Sequence, residues 1–203
     1  MAKLRKKLLV EGNDDFHVVL NLCNVHHIPG TFDVIDKKGI SNLHDSLSEE
    51  LDTSDLKVLG ILVDADTDVQ ARWQSLRDIL TQAGYSVPSQ PTPAGTILVQ
   101  EDKPKVGLWL MPDNHLPGML EDFVAALVPE ADPLLPYARE CVQNLPEKRF
   151  PSVQRAKADI HTWLAWQSEP GKPMGQAITA RYLNPESSQA QGFIDWLYAL
   201  FVE

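Results

Sequence analysis

The chain has 203 residues, with 28 acidic against 18 basic side chains and a formal net charge of −10 at pH 7. At 43% apolar and 23% charged residues it reads as a globular protein, either one domain of generous size or a domain with an extension. The charge excludes a general polyanion-coating protein but not a local basic patch or a bound cation.

Two cysteines, Cys23 and Cys141, give neither a disulfide framework nor zinc spacing. No apolar run approaches the length of a bilayer span, and MAKLRKKLLVEG lacks the apolar core of a signal peptide. The expectation is a cytoplasmic protein with free thiols.

Residues 4–11 read as a short strand ending at Glu11. Gly12 follows, and Asp14 and Asp15 open a helix with Phe16, Val19, Leu20 and Cys23 on one apolar stripe, stopped by His26, Pro29 and Gly30. TFDVID (31–36) is a second strand. Gly39 breaks it, and Ile40, Leu43, Leu47 and Leu51 mark a second helix. The clearest strand is KVLGILV (57–63), apolar on both faces as a central parallel strand should be. It ends in DADTD (64–68), and a third helix carries Val69, Trp73, Leu76, Leu80 and Ala83 inward, ending at Gly84. A loop over 86–95 precedes a hairpin of TILVQ (96–100) and KVGLWLM (105–111). PDNHLPG then leads into a helix over about 119–128. Helices follow at 134–145, 152–166, 174–183 and 187–202, with Val153, Ala156, Ile160, Trp163 and Leu164 as one stripe and Phe193, Ile194, Leu197, Tyr198 and Phe201 as another. This alternation predicts an α/β fold, a mostly parallel sheet flanked by helices over 1–128, with a helical extension over 129–203 packed on it.

Glu11 and the pair Asp64 and Asp66 fall at the C-terminal ends of the first and third strands, the edge where open α/β sheets bind ligands. In an extended segment the i, i+2 spacing points Asp64 and Asp66 the same way. Gly12 leaves room for close approach. Converging carboxylates repel, and a hard divalent cation such as Mg²⁺ or Mn²⁺ relieves the repulsion with oxygen ligands. Two such ions could clamp the attacking and leaving oxygens of a phosphodiester.

LLVEGNDD (8–15) followed by ILVDADTD (61–68) resembles the Toprim domain of topoisomerases, bacterial-type primases, recombination mediator proteins, overcoming-lysogenization-defect nucleases and ribosomal-RNA maturases. The resemblance covers roughly residues 5–125 and implies a Rossmann-like Toprim fold. It implies that Glu11 is a metal-linked acid/base, that Asp64 and Asp66 are metal ligands, and that Asp15 matches the last position of VEGxxD. Asp68 extends DxD to DxDxD. MPDNHLPGMLEDF (111–123) and the closing FIDWLYALF make nearly the whole chain similar to a bacterial and archaeal family of small stand-alone Toprim-like proteins. There is no room for a topoisomerase's DNA-gripping domain, a primase's further domains, or the ATPase domain of the defence nucleases.

Simpler roles stand beside these. Asp14 reads as a helix N-cap, Asp15 as either a cap or a support behind the ligands, and Asp68 as the N-cap of the third helix. Glu121 and Asp122 suit a helix N-terminus, yet the preceding loop leaves a strand end, so Glu121 or Asp113 could reach the metal. His17 reads as a surface histidine and His115 as a loop ligand or proton carrier. Lys37 and Lys38 could hold a phosphate or form a solvated pair. Lys148, Arg149, Arg155 and Lys157 are the basic-patch candidates, and the tryptophans read as core.

The function expected is Mg²⁺-dependent phosphodiester chemistry on DNA or RNA, most simply a nuclease. The alternative is a non-catalytic metal- or nucleic-acid-binding component of a defence or RNA-processing assembly, with a protein partner or a second copy. A haloacid-dehalogenase-type phosphatase fits less well, because its DxD should lie on the first strand.

Overall fold

The structure, a computed structural model, describes residues 5–203. Five strands form one sheet: β1 (Arg5–Val10), β2 (Asp33–Asp36), β3 (Leu56–Asp64), β4 (Thr96–Leu98) and β5 (Lys105–Met111), in the order β2-β1-β3-β5-β4. The expected start of β1 at Leu4 lies outside the described residues. β1, β2, β3 and β5 are parallel, and β4 returns antiparallel to β5 through the expected hairpin. β1 connects outward to β2 on one side while β3 lies on the other, so the strand order reverses between β1 and β3. A crevice opens at such a reversal beyond the strand C-termini.

The helices between strands are α1 (Asn13–Val25), α2 (Ile40–Leu51) and α3 (Val69–Gln82). Alternation along β3 sorts its side chains. Leu59, Ile61 and Val63 pack with Leu43 and Leu47 of α2 and with Trp73, Leu76 and Leu80 of α3, while Val58 and Leu62 belong to the core on the other face. Burial on both faces is why β3 reads as an unbroken apolar run.

The stripe of α1 differs from expectation. Asp15, Val18, Val19 and Leu22 are its buried residues, whereas Leu20 is exposed and Phe16 and Cys23 are only partly covered. The buried face is rotated by one residue because it leads with a carboxylate that turns toward the strand ends. Asp14 is not the N-cap either. Gly12 holds that position, and its N–H donates to Asp15 Oδ2 at 3.1 Å.

The rest of the chain forms α4 (Leu120–Ala126), α5 (Leu134–Gln143), a 3₁₀ turn (Ser152–Gln154), α6 (Arg155–Ala165), α7 (Met174–Thr179) and α8 (Ser188–Phe201). These helices join α1 over the second face of the sheet in one core, where Trp109 meets Phe193 at 5.3 Å and Trp196 at 5.7 Å between ring centroids. α8 crosses the sheet where Gly60 and Gly107 carry no side chain. A Cβ on Gly60 would come within 2.7 Å of Leu8 Cδ1, and one on Gly107 would run into Leu200. α7 lies as close to α1, since a Cβ on Gly175 would stand 2.7 Å from the His17 carbonyl oxygen. Val153 departs from its expected stripe and is exposed, and Trp166 lies half out of the core against Tyr137. Among the described residues no helix is long and apolar enough to cross a membrane.

Candidate metal centre

Five carboxylates line the crevice, those of Glu11, Asp14, Asp15, Asp64 and Glu121. Glu11 follows β1, and its backbone carbonyl accepts from Gly39 N–H at 2.7 Å while its Oε1 accepts from Asp64 N–H at 2.8 Å. Asp64 ends β3, and its Oδ1 accepts from Leu120 N–H at 2.8 Å. Asp15 stands one turn into α1 and Glu121 in the first turn of α4. Together with Lys157 of α6 they line a cavity of about 530 Å³.

This cavity crowds negative charge in a poorly solvated place. Burial pushes Asp64 up to about 9, with Asp15, Glu11 and Glu121 adding to the shift. Burial likewise pushes Asp15 up to about 7, with Glu11 as its nearest charged cause. Glu11 is raised by burial against the opposing hydrogen bond from Asp64 N–H and the charge of Arg72. Asp15 is only 6% exposed, and its Oδ1 has no hydrogen-bond partner among the described residues. A buried carboxylate oxygen left unpaired is costly unless something supplies positive charge or a proton.

The donors in the cavity are all oxygens, the set that suits Mg²⁺ or Mn²⁺. Among the described residues no group of three His, Cys, Asp or Glu side chains is already arranged to hold a metal ion. Mg²⁺ keeps several waters and uses one or two carboxylates, so Glu11 and Asp64, flanked by Asp15 and Glu121, fit that smaller demand. Gly12 also lines the cavity. A Cβ there would meet only Asp15 Oδ2, at an ordinary 3.6 Å, and its φ of −149° suits any residue. Neither packing nor backbone conformation requires glycine at this position. Gly39 differs, with φ of +119° at the start of α2.

Asp66 does not line this cavity, although its charge adds to the upward shift of Glu11. Its φ of +53° is left-handed, so the segment is not extended there and the i, i+2 alternation fails. Its side chain, 51% exposed, pairs with Arg72 and borders a second pocket with Asp68 and Ser75. The backbone of Asp66 still matters. It exchanges hydrogen bonds with Gly118 at 2.8 and 2.7 Å, which holds the 112–119 loop beside β3 and brings Leu120 N–H onto Asp64.

The other candidates have structural partners. Asp68 caps α3 by accepting from Ala71 N–H at 3.0 Å. Asp113 accepts from the N–H groups of His115 and Leu116 in its own turn, and neither it nor His115 lines the cavity. Lys37 joins Lys7 on Glu50, at 3.0 and 2.5 Å, which holds Glu50 below its ordinary range although burial opposes this. Lys38 is exposed, and its N–H donates to Asp36. The expected basic patch is dispersed, with Arg149 on Glu147, Arg155 on Asp159 and Lys157 on Glu121.

Sequence reasoning missed Lys157 as a site residue. Its Nζ stands 3.2 Å from Glu121 Oε1, and nothing in the spacing between 121 and 157 announces that meeting. Glu121, 5% exposed, was legible only through the strand end before it.

No curated protein and no solved structure matches this chain. A model of the family described as "Protein of unknown function (DUF3226)" matches residues 5–202. That match takes in both the sheet bearing the carboxylates and the helices that close the cavity over them, and on its extent the chain belongs to this family.

Proposed function

We propose that the cavity between β1 and β3 binds Mg²⁺ or Mn²⁺ and hydrolyses phosphodiester bonds of DNA or RNA in the manner of a Toprim nuclease. The observation that carries this reading is the meeting of Glu11, Asp15, Asp64 and Glu121 around one cavity, with Asp15 Oδ1 buried and unpaired. When bound, the ion supplies a Lewis acid for a phosphate oxygen and lowers the pKa of a water. Glu11 and Asp64 are the residues that would hold it. Glu121, in the same lining, is a further oxygen ligand for it, and Asp15 sets the charge behind them. Glu11, raised by burial, is the group suited to take or return a proton at its carboxylate. Asp66 has no ligand role while it is paired with Arg72.

The test has two parts. Chelator-stripped protein is titrated with Mn²⁺ by calorimetry, then incubated with single- and double-stranded DNA and RNA with and without Mg²⁺. Binding and cleavage should both be lost in Glu11→Gln and Asp64→Asn, with the fold intact by circular dichroism. Cleavage that persists in chelator would refute the proposal, as would wild-type protein that binds no ion.

A second reading keeps the ion and drops the catalysis. It is favoured by the pairing of Lys37, Arg72, Arg155 and Lys157 with carboxylates, which leaves those four cations engaged rather than facing a polyanion. Ion binding without cleavage across the same substrates selects it.

A further inference from the structure

We propose that Lys157 is the built-in counter-ion of the cavity, holding Glu121 when no divalent ion is present and competing with such an ion for that carboxylate. Lys157 would then set the affinity of the cavity for Mg²⁺ or Mn²⁺. The inference rests on the ion-binding reading above and adds a residue from the helical extension to it.

The argument starts at Glu121. Its side chain is almost wholly buried, and Lys157 is the cation paired with it among the described residues, at 3.2 Å. A buried carboxylate stays ionised only if a cation or several donors accompany it. Asp15, across the same cavity, has no such cation and retains an orphaned oxygen. One wall of the cavity is thus neutralised from within and the other is not. An ammonium carries three donors and no acceptor, so it cannot ligate a metal, and its positive charge repels one held close to the same carboxylate. A divalent ion drawn to the unneutralised wall meets a positive charge at the other.

The lysine is built to leave. It sits in the first turn of α6, its side chain is 49% exposed, and its four-carbon stem can swing outward without unpacking the helix. Ile160, Trp163 and Leu164 anchor α6 in the core independently of it. Displacing Lys157 therefore breaks its ion pair with Glu121 while the apolar anchors of α6 stay in place.

The experiment measures Mn²⁺ and Mg²⁺ affinity of the full chain at pH 8 by calorimetry, in wild type, Lys157→Met, Lys157→Arg, Glu121→Gln and the Lys157→Met/Glu121→Gln double variant. Lys157→Gln replaces the methionine variant if that does not fold. Lys157→Met should bind Mn²⁺ roughly tenfold more tightly than wild type, within the usual range for coupling between two binding events. Lys157→Arg should stay near wild type. In the Glu121→Gln background the lysine substitution should have a clearly smaller effect, because the shared carboxylate is gone and only the charge of the lysine remains; an undiminished effect overturns the competition for Glu121. Equal affinity in wild type and Lys157→Met, with ions still bound, overturns this inference and leaves the ion site standing. Weaker binding by Lys157→Met also overturns it, since the lysine would then support the site. Absence of binding by all five proteins overturns the ion site and this inference together.

Discussion

At the scale of single residues, the crowding of carboxylates has a sign that can be measured. Burial pushes Asp64 up to about 9 in the folded chain, against about 3.9 for a carboxyl of the unfolded chain. The folded state therefore keeps a proton that the unfolded state releases. The stability this gives is complete below about pH 4 and is lost as pH rises through the folded value. Asp15, raised to about 7, acts in the same direction. Ion-free protein should melt at progressively lower temperature from pH 5 to pH 9. Asp64→Asn keeps an oxygen for Leu120 N–H and cannot ionise. It should flatten the profile and stabilise the ion-free protein by about 0.5–2 kcal/mol at pH 8 while removing Mn²⁺ binding. Calorimetric melts at several pH values check this, and a flat wild-type profile would show that the carboxylates do not strain the fold. The residues of this site were unevenly legible. Glu11 and Asp64 could be read because each ends an apolar strand. Asp66 could not be placed, since nothing in DADTD reveals a left-handed residue at its centre.

At the scale of elements, the strands and most helices followed from apolar period and turn residues, and α2 spans the residues expected of it, whereas α7 stops at Thr179, short of the expected 183, just before the left-handed Arg181. What the pattern could not show was a polar group on a buried face. A stripe read from hydrophobicity assumes that inward means apolar, so it started the buried face of α1 at Phe16 and left Asp15 off it. The same assumption put Val153 inside, although it lies in a 3₁₀ turn ahead of α6 and its side chain is exposed. The pairing of α1 with α7 was equally invisible, because it depends on one missing side chain. Gly175→Val would place a Cβ 2.7 Å from a backbone oxygen of α1, which cannot move aside as a side chain tip would. The expected loss is about 1–3 kcal/mol. Since α1 also carries Asp15, Mn²⁺ affinity should fall with it. Urea unfolding and calorimetry on the same variant report both effects, and unchanged stability would mean that the two helices are free to separate.

At the scale of the whole molecule, the helices after residue 129 complete a core rather than decorate one. Leu197, Leu200 and Phe201 of α8 lie in the same cluster as Leu8, Val10 and Leu62 of the sheet, which is apolar on that face as on the other. A chain ending at residue 128 would expose that face to water. It should fail to show a cooperative melt and should precipitate, whereas the full chain should melt in one transition. A soluble, cooperatively folding 1–128 fragment would show that the sheet closes its core without the extension.

The direction of α8 carries one more consequence. Near its start, Gln189 Nε2 donates to the Pro112 carbonyl at 2.6 Å, on the rim that bears the carboxylates. At its end, Lys6 Nζ donates to the Phe201 carbonyl at 2.6 Å and Lys105 Nζ to that of Ala199 at 3.1 Å, both lysines rising from the opposite rim. The last turn is thereby clamped beneath the sheet, a full strand length from the crevice. A biotin or a surface linker attached after Glu203 would hold the molecule by its underside and leave the mouth of the cavity turned toward the solution. Immobilisation at that point suits real-time measurement of what enters it.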